Sequence, residues 1–374
     1  MDKVISVEPF PPGELIQDEL DARGWTQDDL AEVMRRSRQH ISNLLKGKTS
    51  IGPETSHELA QAFGTSPELW MNLQTSYELS KSVCADRAIA DRAELYSKTP
   101  VREMKKRHWI PDNNDVRELE VSVLKFLGMP SWESMPQLKL AARKSTSYSS
   151  HTFSQLAWGC RALQLGSCLT ADRYEDGNID VAASELRPLL ANPEDIRRVP
   201  AILASLGIRL VIVEHLQKTR IDGAAMWLDD NSPIVALSLR YGRIDSFWFN
   251  LFHEMVHIKY RHEPVVDVGL NDTSSDDDDG GETEEIANRE GANYLISSDK
   301  MESFIVRHKP LFYQAKVIQF ANARRVHPGI VVGQLRHRGA VDYRQLTKLM
   351  VDVRQYIKGD ALTDGWGDCP LLSK

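Results

Sequence analysis

Asp245–Tyr260 reads DSFWFNLFHEMVHIKY, and the core of that stretch, His253-Glu254-Met255-Val256-His257, organises the reading of the whole chain. Histidines four residues apart fall on one face of a helix, one turn above each other. Both imidazoles then reach a single tetrahedral metal, while Glu254, roughly 100° round the helix, faces a water on that metal. Phe247, Trp248, Phe249, Leu251, Phe252, Met255 and Ile258 surround the pattern with apolar side chains, so the predicted helix is buried. The five-letter pattern alone is a modest signal, and its surroundings decide.

Those surroundings supply a third ligand. Glu284–Ile296 (EEIANREGANYLI) reads as a second buried helix, joined to the first through the acidic run Ser274–Glu282. A zinc hydrolase needs three protein ligands and one open position. Glu284 is the candidate third ligand, with Glu285 as the neighbouring alternative; Asn288, one turn later, is placed to hydrogen-bond a ligating histidine. The acidic run itself fails the calcium-loop pattern, because Gly280 stands where an oxygen ligand is required, and it reads as a solvated loop.

On these residues the sequence resembles the ImmA/IrrE family of metallopeptidase domains, which pair a HExxH helix with a Glu-x-x-Ala-Asn/Asp helix carrying the last ligand. The likeness extends upstream to Leu206–Val213 (LGIRLVIV), an Asp222-Gly223 turn and Ser232–Leu239 (SPIVALSL), expected as strands and their connection, and downstream to Phe320–Leu335. The chain departs from the family's usual pattern at Val256, where a small residue is usual. It departs again at Glu290-Gly291 and Ser297-Ser298, where Phe-Ala and a nearby Pro are usual. None of these positions is a ligand.

The resemblance implies zinc at His253, His257 and Glu284, with manganese the other ion suited to two histidines and one carboxylate. It implies Glu254 as general base and His327 or Tyr294 as a donor to the oxyanion. Relatives of this domain cleave repressor or antitoxin proteins. The expected substrate is therefore a helix-turn-helix protein, this chain itself or a partner.

The amino-terminal region carries an independent signal. Thr26 and Asp29 form a near capping box for a helix opening at Gln27, and Ser37 caps a second helix, Arg38-Gln39-His40-Ile41-Ser42-Asn43-Leu44-Leu45. Two short helices joined by a tight turn, the second polar at its start, describe a helix-turn-helix. Between Glu32 and Glu54 no acidic residue interrupts Arg35, Arg36, Arg38, Lys46 and Lys48, a basic strip suited to phosphate contact. Ser37 opens the second helix as part of the expected contact surface. Arg38, Gln39, Ser42 and Asn43 are the side chains expected at base edges, with Gln27 and Lys46 nearer the backbone. Leu30, Ala31, Ile41, Leu44 and Leu45 are core.

The opening Pro12–Ile16, the Ile41–Lys48 segment and the tryptophan-bearing Pro67–Gln74 together resemble the HigA-type antitoxin branch of Cro/repressor-like (XRE) domains, over residues 8 to 80. That likeness implies a homodimer on operator double-stranded DNA, with half-sites about one helical turn apart, and a RelE/HigB-like toxin as a further partner.

A chain of 374 residues is expected to hold two or three domains. Its 41% hydrophobic and 26% charged residues are those of an ordinary soluble protein, and a net charge of -7 argues against coating nucleic acid throughout. The start, MDKVISVEPFPPGE, is no signal peptide and no apolar run spans a bilayer, so the expected location is the cytoplasm. Cys84, Cys160, Cys168 and Cys369 show no CxxC spacing and read as reduced thiols, with Cys160 and Cys168 partly buried. Val116–Leu127 and His151–Leu165 have helical periodicity, Ser145–Ser150 reads as a loop, and Lys105-Lys106-Arg107 reads as a solvated helix face. His262 is expected at the surface.

The resulting expectation is a mostly α protein with an α+β part. Residues 1–80 form a five-helix lambda-repressor-like DNA-binding domain, 81–195 a helical spacer, 196–345 a zincin-like metallopeptidase domain with a small sheet, and 346–374 a tail. The expected function is an antitoxin-type transcriptional regulator carrying a zinc endopeptidase. The rival is a HigA-like antitoxin that represses its own operon and neutralises a toxin, its metal domain structural or sensing.

Overall fold

The computed structural model describes residues 10–81, 88–134, 150–262, 266–268 and 281–372. The chain divides into two compact units, Met1–Arg87 and Ala88–Lys374.

The first unit is all helix: α1 (Pro12–Arg23), α2 (Gln27–Val33), α3 (Arg38–Leu45), α4 (Pro53–Phe63) and α5 (Pro67–Lys81). Local chemistry sets nearly every boundary. Pro12 starts α1 where a missing N–H costs nothing, and Gly24 ends it at φ 63 in the left-handed region. The Thr26–Asp29 capping box is complete at the head of α2. Ile16, Leu20, Leu30, Ile41, Leu44, Leu59, Phe63 and Trp70 then meet in one core, and the Trp70 indole donates to Thr65 Oγ1 (2.8 Å). Leu45 is half-buried at its edge. At Gly13 the start of α1 touches the end of α3 so closely that an added Cβ would lie 2.2 Å from the Leu45 carbonyl oxygen.

The second unit holds α6 (Ala88–Lys98), α7 (Val101–Lys106), α8 (Val116–Leu127), α9 (Ser150–Ser167), α10 (Asn178–Leu186), α11 (Val199–Ser205), α12 (Ile244–Lys259), α13 (Glu282–Leu295), α14 (Ser298–His308), α15 (Gln314–Arg324) and α16 (Pro328–His337). These surround strands β1 (Arg209–Val213), β2 (Ile221–Trp227), β3 (Pro233–Leu237), β4 (Val266–Val268) and β5 (Leu362–Asp364). The sheet order is β4-β2-β3-β1-β5; β1 runs parallel to β3 and β5, and β2 antiparallel to β3 and β4. Asp222 and Gly223, expected as a turn, lie inside β2: Gly223 is paired with Leu237 of β3 and Asp267 of β4, and Asp222 sits at the irregularity between Ile221 and Gly223.

The strands are apolar on both faces, as a doubly covered sheet demands. Leu210, Ile212, Val235 and Leu237 point into a core built around α12; Val211, Val213, Ile234 and Ala236 point into a second core with α8 and α9. Thus the stretch expected as a spacer supplies the helices that cover one face of the sheet. Trp158 on α9 donates to the Val213 carbonyl (2.8 Å), and Gly166 lets α9 approach β3, where a Cβ would meet Ile234 at 2.2 Å.

The tail is also built in. It contributes β5, whose fully buried Asp364 accepts from Arg161 Nε (2.6 Å) and Trp109 Nε1 (3.0 Å). Lys105-Lys106-Arg107 is no uniformly solvated face: Arg107 turns inward and donates to the carbonyls of Glu214 (2.7 Å) and His215 (3.1 Å). Cys160 is buried, and burial pushes its thiol up to about 12; Cys168, expected partly buried, is exposed. Cys84, the Ser145–Ser149 stretch and most of the acidic run lie outside the described residues. No helix among the described residues is long and apolar enough to cross a membrane.

Asp364→Ala strands the buried Arg161 charge, and the expected loss of stability is about 3–5 kcal/mol in urea unfolding. Gly13→Ala forces a backbone clash and is expected to cost about 1–3 kcal/mol in the melting of the amino-terminal unit. An unchanged midpoint in either variant would contradict the packing described.

Candidate metal centre and nucleic-acid interface

α12 is buried along almost its whole length, with His253 and Glu254 fully inaccessible and His257 nearly so. Its apolar side chains pack into the core with α13 and α16, which leaves the two histidines stacked at one turn's spacing. Gly291 allows the close approach of α13, since a Cβ there would sit 3.1 Å from the backbone nitrogen of His253. The same packing suits a glycine at 291, where the resembled family usually has alanine.

α13 delivers Glu284 to both histidines. His253 Nε2 lies 3.0 Å from His257 Nε2, 3.4 Å from Glu284 Oε2, and His257 Nε2 lies 3.6 Å from Glu284 Oε1. Bonds of about 2.0–2.1 Å to a tetrahedral ion place ligand atoms about 3.3–3.4 Å apart, so the three groups have the spacing of such a donor set. His253, His257 and Glu284 are the described residues whose ligand atoms cluster this way. Glu285, the neighbouring alternative, is exposed. Burial works against ionisation of Glu284, but hydrogen bonds from His253 and His257 outweigh it and hold the carboxyl well below the ordinary carboxylate range.

Glu254 stands beside β2. A Cβ on Gly223 would fall 2.3 Å from Glu254 Oε1, so the glycine makes the space its carboxylate occupies. This position was read as a turn; a glycine within an otherwise apolar strand signals close approach of another group. His262, expected at the surface, is half-buried with Nδ1 3.0 Å from His257 Nδ1. Burial and the adjoining His257 depress its pKa, and its Nδ1 is placed to orient that ring. Asn288, one turn beyond Glu284, is half-buried, and His262 is a further group set against His257.

The two candidate oxyanion donors are engaged elsewhere. His327 is the N-cap of α16, its Nδ1 accepting from the Gly329 N–H (3.1 Å). The Tyr294 hydroxyl donates to Asp180 (2.7 Å) and accepts from Lys259 Nζ (3.1 Å); burial and the Asp180 contact push its pKa up to about 12.

In the amino-terminal unit, α3 presents Arg38 and Gln39 to solvent, with Ser42 and Asn43 half-buried on the following turn. Arg38 pairs with Asp28 across α2 (3.3 Å) with most of its side chain exposed, and Gln39 donates to Asn43 (3.1 Å), preordering both amides. Ser37 Oγ accepts the His40 N–H (3.2 Å) as the helix cap; Gln27 opens α2 half-buried, and Lys46 is exposed beyond the end of α3. Arg36 leaves the expected basic strip, because Glu58 (2.7 Å) and Glu54 (2.8 Å) hold its guanidinium. Arg35, Arg38, Lys46 and Lys48 remain.

Residues 16–70 match the family described as helix-turn-helix. Over 71 residues the chain is 34% identical to the HTH-type transcriptional regulator YddM of Escherichia coli (strain K12), spanning 19% of this chain and 76% of that protein. The chain belongs to the helix-turn-helix family of DNA-binding transcriptional regulators. This helix-turn-helix regulator is also 38% identical over 72 residues to antitoxin HigA-1 of Vibrio cholerae serotype O1, across 19% of this chain and 68% of the antitoxin. Among solved structures, Pseudomonas aeruginosa antitoxin HigA with the higBA promoter shares 29% identity, covering 21% of this chain and 86% of that one, at a TM-score of 0.20. The family match lies within the amino-terminal unit.

Gly223→Ala is expected to displace the Glu254 carboxylate and lower stability by about 1–3 kcal/mol. Chemical denaturation of this variant beside the parent checks it, and an unperturbed midpoint would mean that β2 and α12 do not meet as described.

Proposed function

We propose that this helix-turn-helix regulator binds its operator as a dimer through α3 and that its second unit is a zinc-dependent endopeptidase acting on a regulatory protein. The observation that supports the second half is the meeting of His253, His257 and Glu284 on two packed helices, with Glu254 next to the first ligand. Two neutral imidazoles and one carboxylate are a donor set that suits zinc, and manganese next.

When bound there, the ion supplies Lewis acidity to a water and to a peptide carbonyl. Glu254 holds and moves the proton: one carboxylate oxygen takes it from the attacking water and returns it to the leaving amine nitrogen. His262 fixes the tautomer and tilt of His257 through their paired Nδ1 atoms, and Gly223 keeps the strand backbone clear of Glu254. The substrate in this reading is a repressor or antitoxin protein, in the cytoplasm.

On DNA, Arg38, Gln39, Ser42 and Asn43 reach base edges, while Gln27, Ser37 and Lys46 meet phosphates. A second reading is favoured by the 38% identity to antitoxin HigA-1. In it the chain represses its own operon and neutralises a RelE/HigB-like toxin, the metal centre being structural or sensing.

Metal content of the purified protein and of Glu254→Gln, with cleavage of co-expressed helix-turn-helix partners scored for both, separates the two. Stoichiometric metal in both and cleavage by the parent alone is the expected result; metal without cleavage by either favours the antitoxin, and no metal in either removes the centre. For DNA, anisotropy on a fragment selected from a random pool should show Gln39→Ala weakening binding by about 1–3 kcal/mol with relaxed specificity. Lys46→Ala should weaken all sequences alike and reduce the salt slope by about 1. Unchanged affinity in both variants would place the interface on another face.

A further inference from the structure

Between the start of α12, α13 and the end of α16 lies a cavity of about 50 Å³, separate from the histidine cluster. One water needs about 10–15 Å³ of such space, so several heavy atoms fit. Arg243, Asp245, Phe249, Arg336, Arg338 and Tyr343 are among its walls, and Asp245 is the one carboxylate lining it. That carboxylate is already taken by Arg243 in a two-point pair (3.1 and 3.3 Å). Gly333 admits it, since a Cβ there would lie 2.4 Å from Asp245 Cβ.

The other two arginines have no such match. Arg336 is only 4% exposed; its Nη2 donates to the carbonyls of Tyr343 and Gln345 (2.8 Å each), while its Nε is buried without a hydrogen-bond partner. Arg338 donates to Gln334 Oε1 (3.3 Å) and Ser298 Oγ (3.2 Å), both neutral, and Glu302 acts on it from outside the cavity. Three arginines thus line a cavity with one carboxylate among its described lining residues, with an unused donor on the most buried of them, while Asp342 and Glu302 act on Arg336 and Arg338 from outside the lining. Desolvated cations of this kind are compensated by oxyanions, which guanidinium forks bind at two points.

We propose that this cavity binds a phosphate-class oxyanion. Phe249 connects it to the histidine cluster: its ring centroid is 5.8 Å from that of His253 and 6.0 Å from that of His337 at the end of α16. Occupancy would therefore be felt on the helix that carries His253.

Isothermal titration of the full chain, metal-stripped and dialysed, with inorganic phosphate and in parallel with methyl phosphate tests the site, using chloride at matched ionic strength as reference. Saturable binding is expected, with a thermal shift that chloride does not give. Arg338→Gln should weaken it at least tenfold while keeping the parent's circular dichroism and its melting point in chloride, and Arg243→Gln, which also strips Asp245 of its partner, should weaken it as much while lowering the melting point. Tighter binding of the monoester would identify the ligand as a phosphorylated small molecule, and tighter binding of phosphate the free ion. A phosphate response equal to chloride, or saturation unaltered in both variants, would overturn the proposal.

Discussion

The second unit depends on one constraint: His253, Glu254 and His257 are withdrawn from water inside a helix whose buried side chains are mostly apolar. Isolated charges cannot be left there, because desolvation in a low-dielectric interior costs several kcal/mol per ion. The fold answers by bringing Glu284 on α13 against both imidazoles and His262 against the far side of one. Small residues make that possible: Gly291 draws α13 in, and Gly223 clears the strand beside Glu254. The sheet and the other helices hold α12 in place so that five side chains from three segments keep one geometry.

The amino-terminal unit rests on a different balance. Its helices are short, so propensity alone does not hold them, and caps together with the Trp70–Phe63 core do. Since the core side chains of α3 are Ile41 and Leu44, polar side chains occupy its other positions without loss of packing. Arg36 shows the limit of charge counting. A basic residue in a basic run is still drawn inward when two carboxylates on the next helix, Glu54 and Glu58, present a better partner than solvent.

Much of the site was legible because its cause is periodic. Four-residue spacing puts His253 and His257 on one face, and a Thr, Asp or Ser at the right offset starts a helix; these are local rules that a linear text carries. The runs LGIRLVIV and SPIVALSL likewise announced strands, although not that helices would cover both faces of their sheet.

What the sequence by itself determined, then, was the pair of histidines, the acidic residues within reach of them, and the capped helix-turn-helix. Only the tertiary structure decided that Glu284 lies against both histidines while Glu285 is exposed, that His262 meets His257, and that His327 caps a helix. It also decided that the helices within residues 88–134 and 150–167 cover one face of the sheet and that the tail buries Asp364 against Arg161. The physical reason is common to all of these. Each depends on which elements distant in sequence pack together, and burial, not spacing, then selects which polar group is compelled to find a partner.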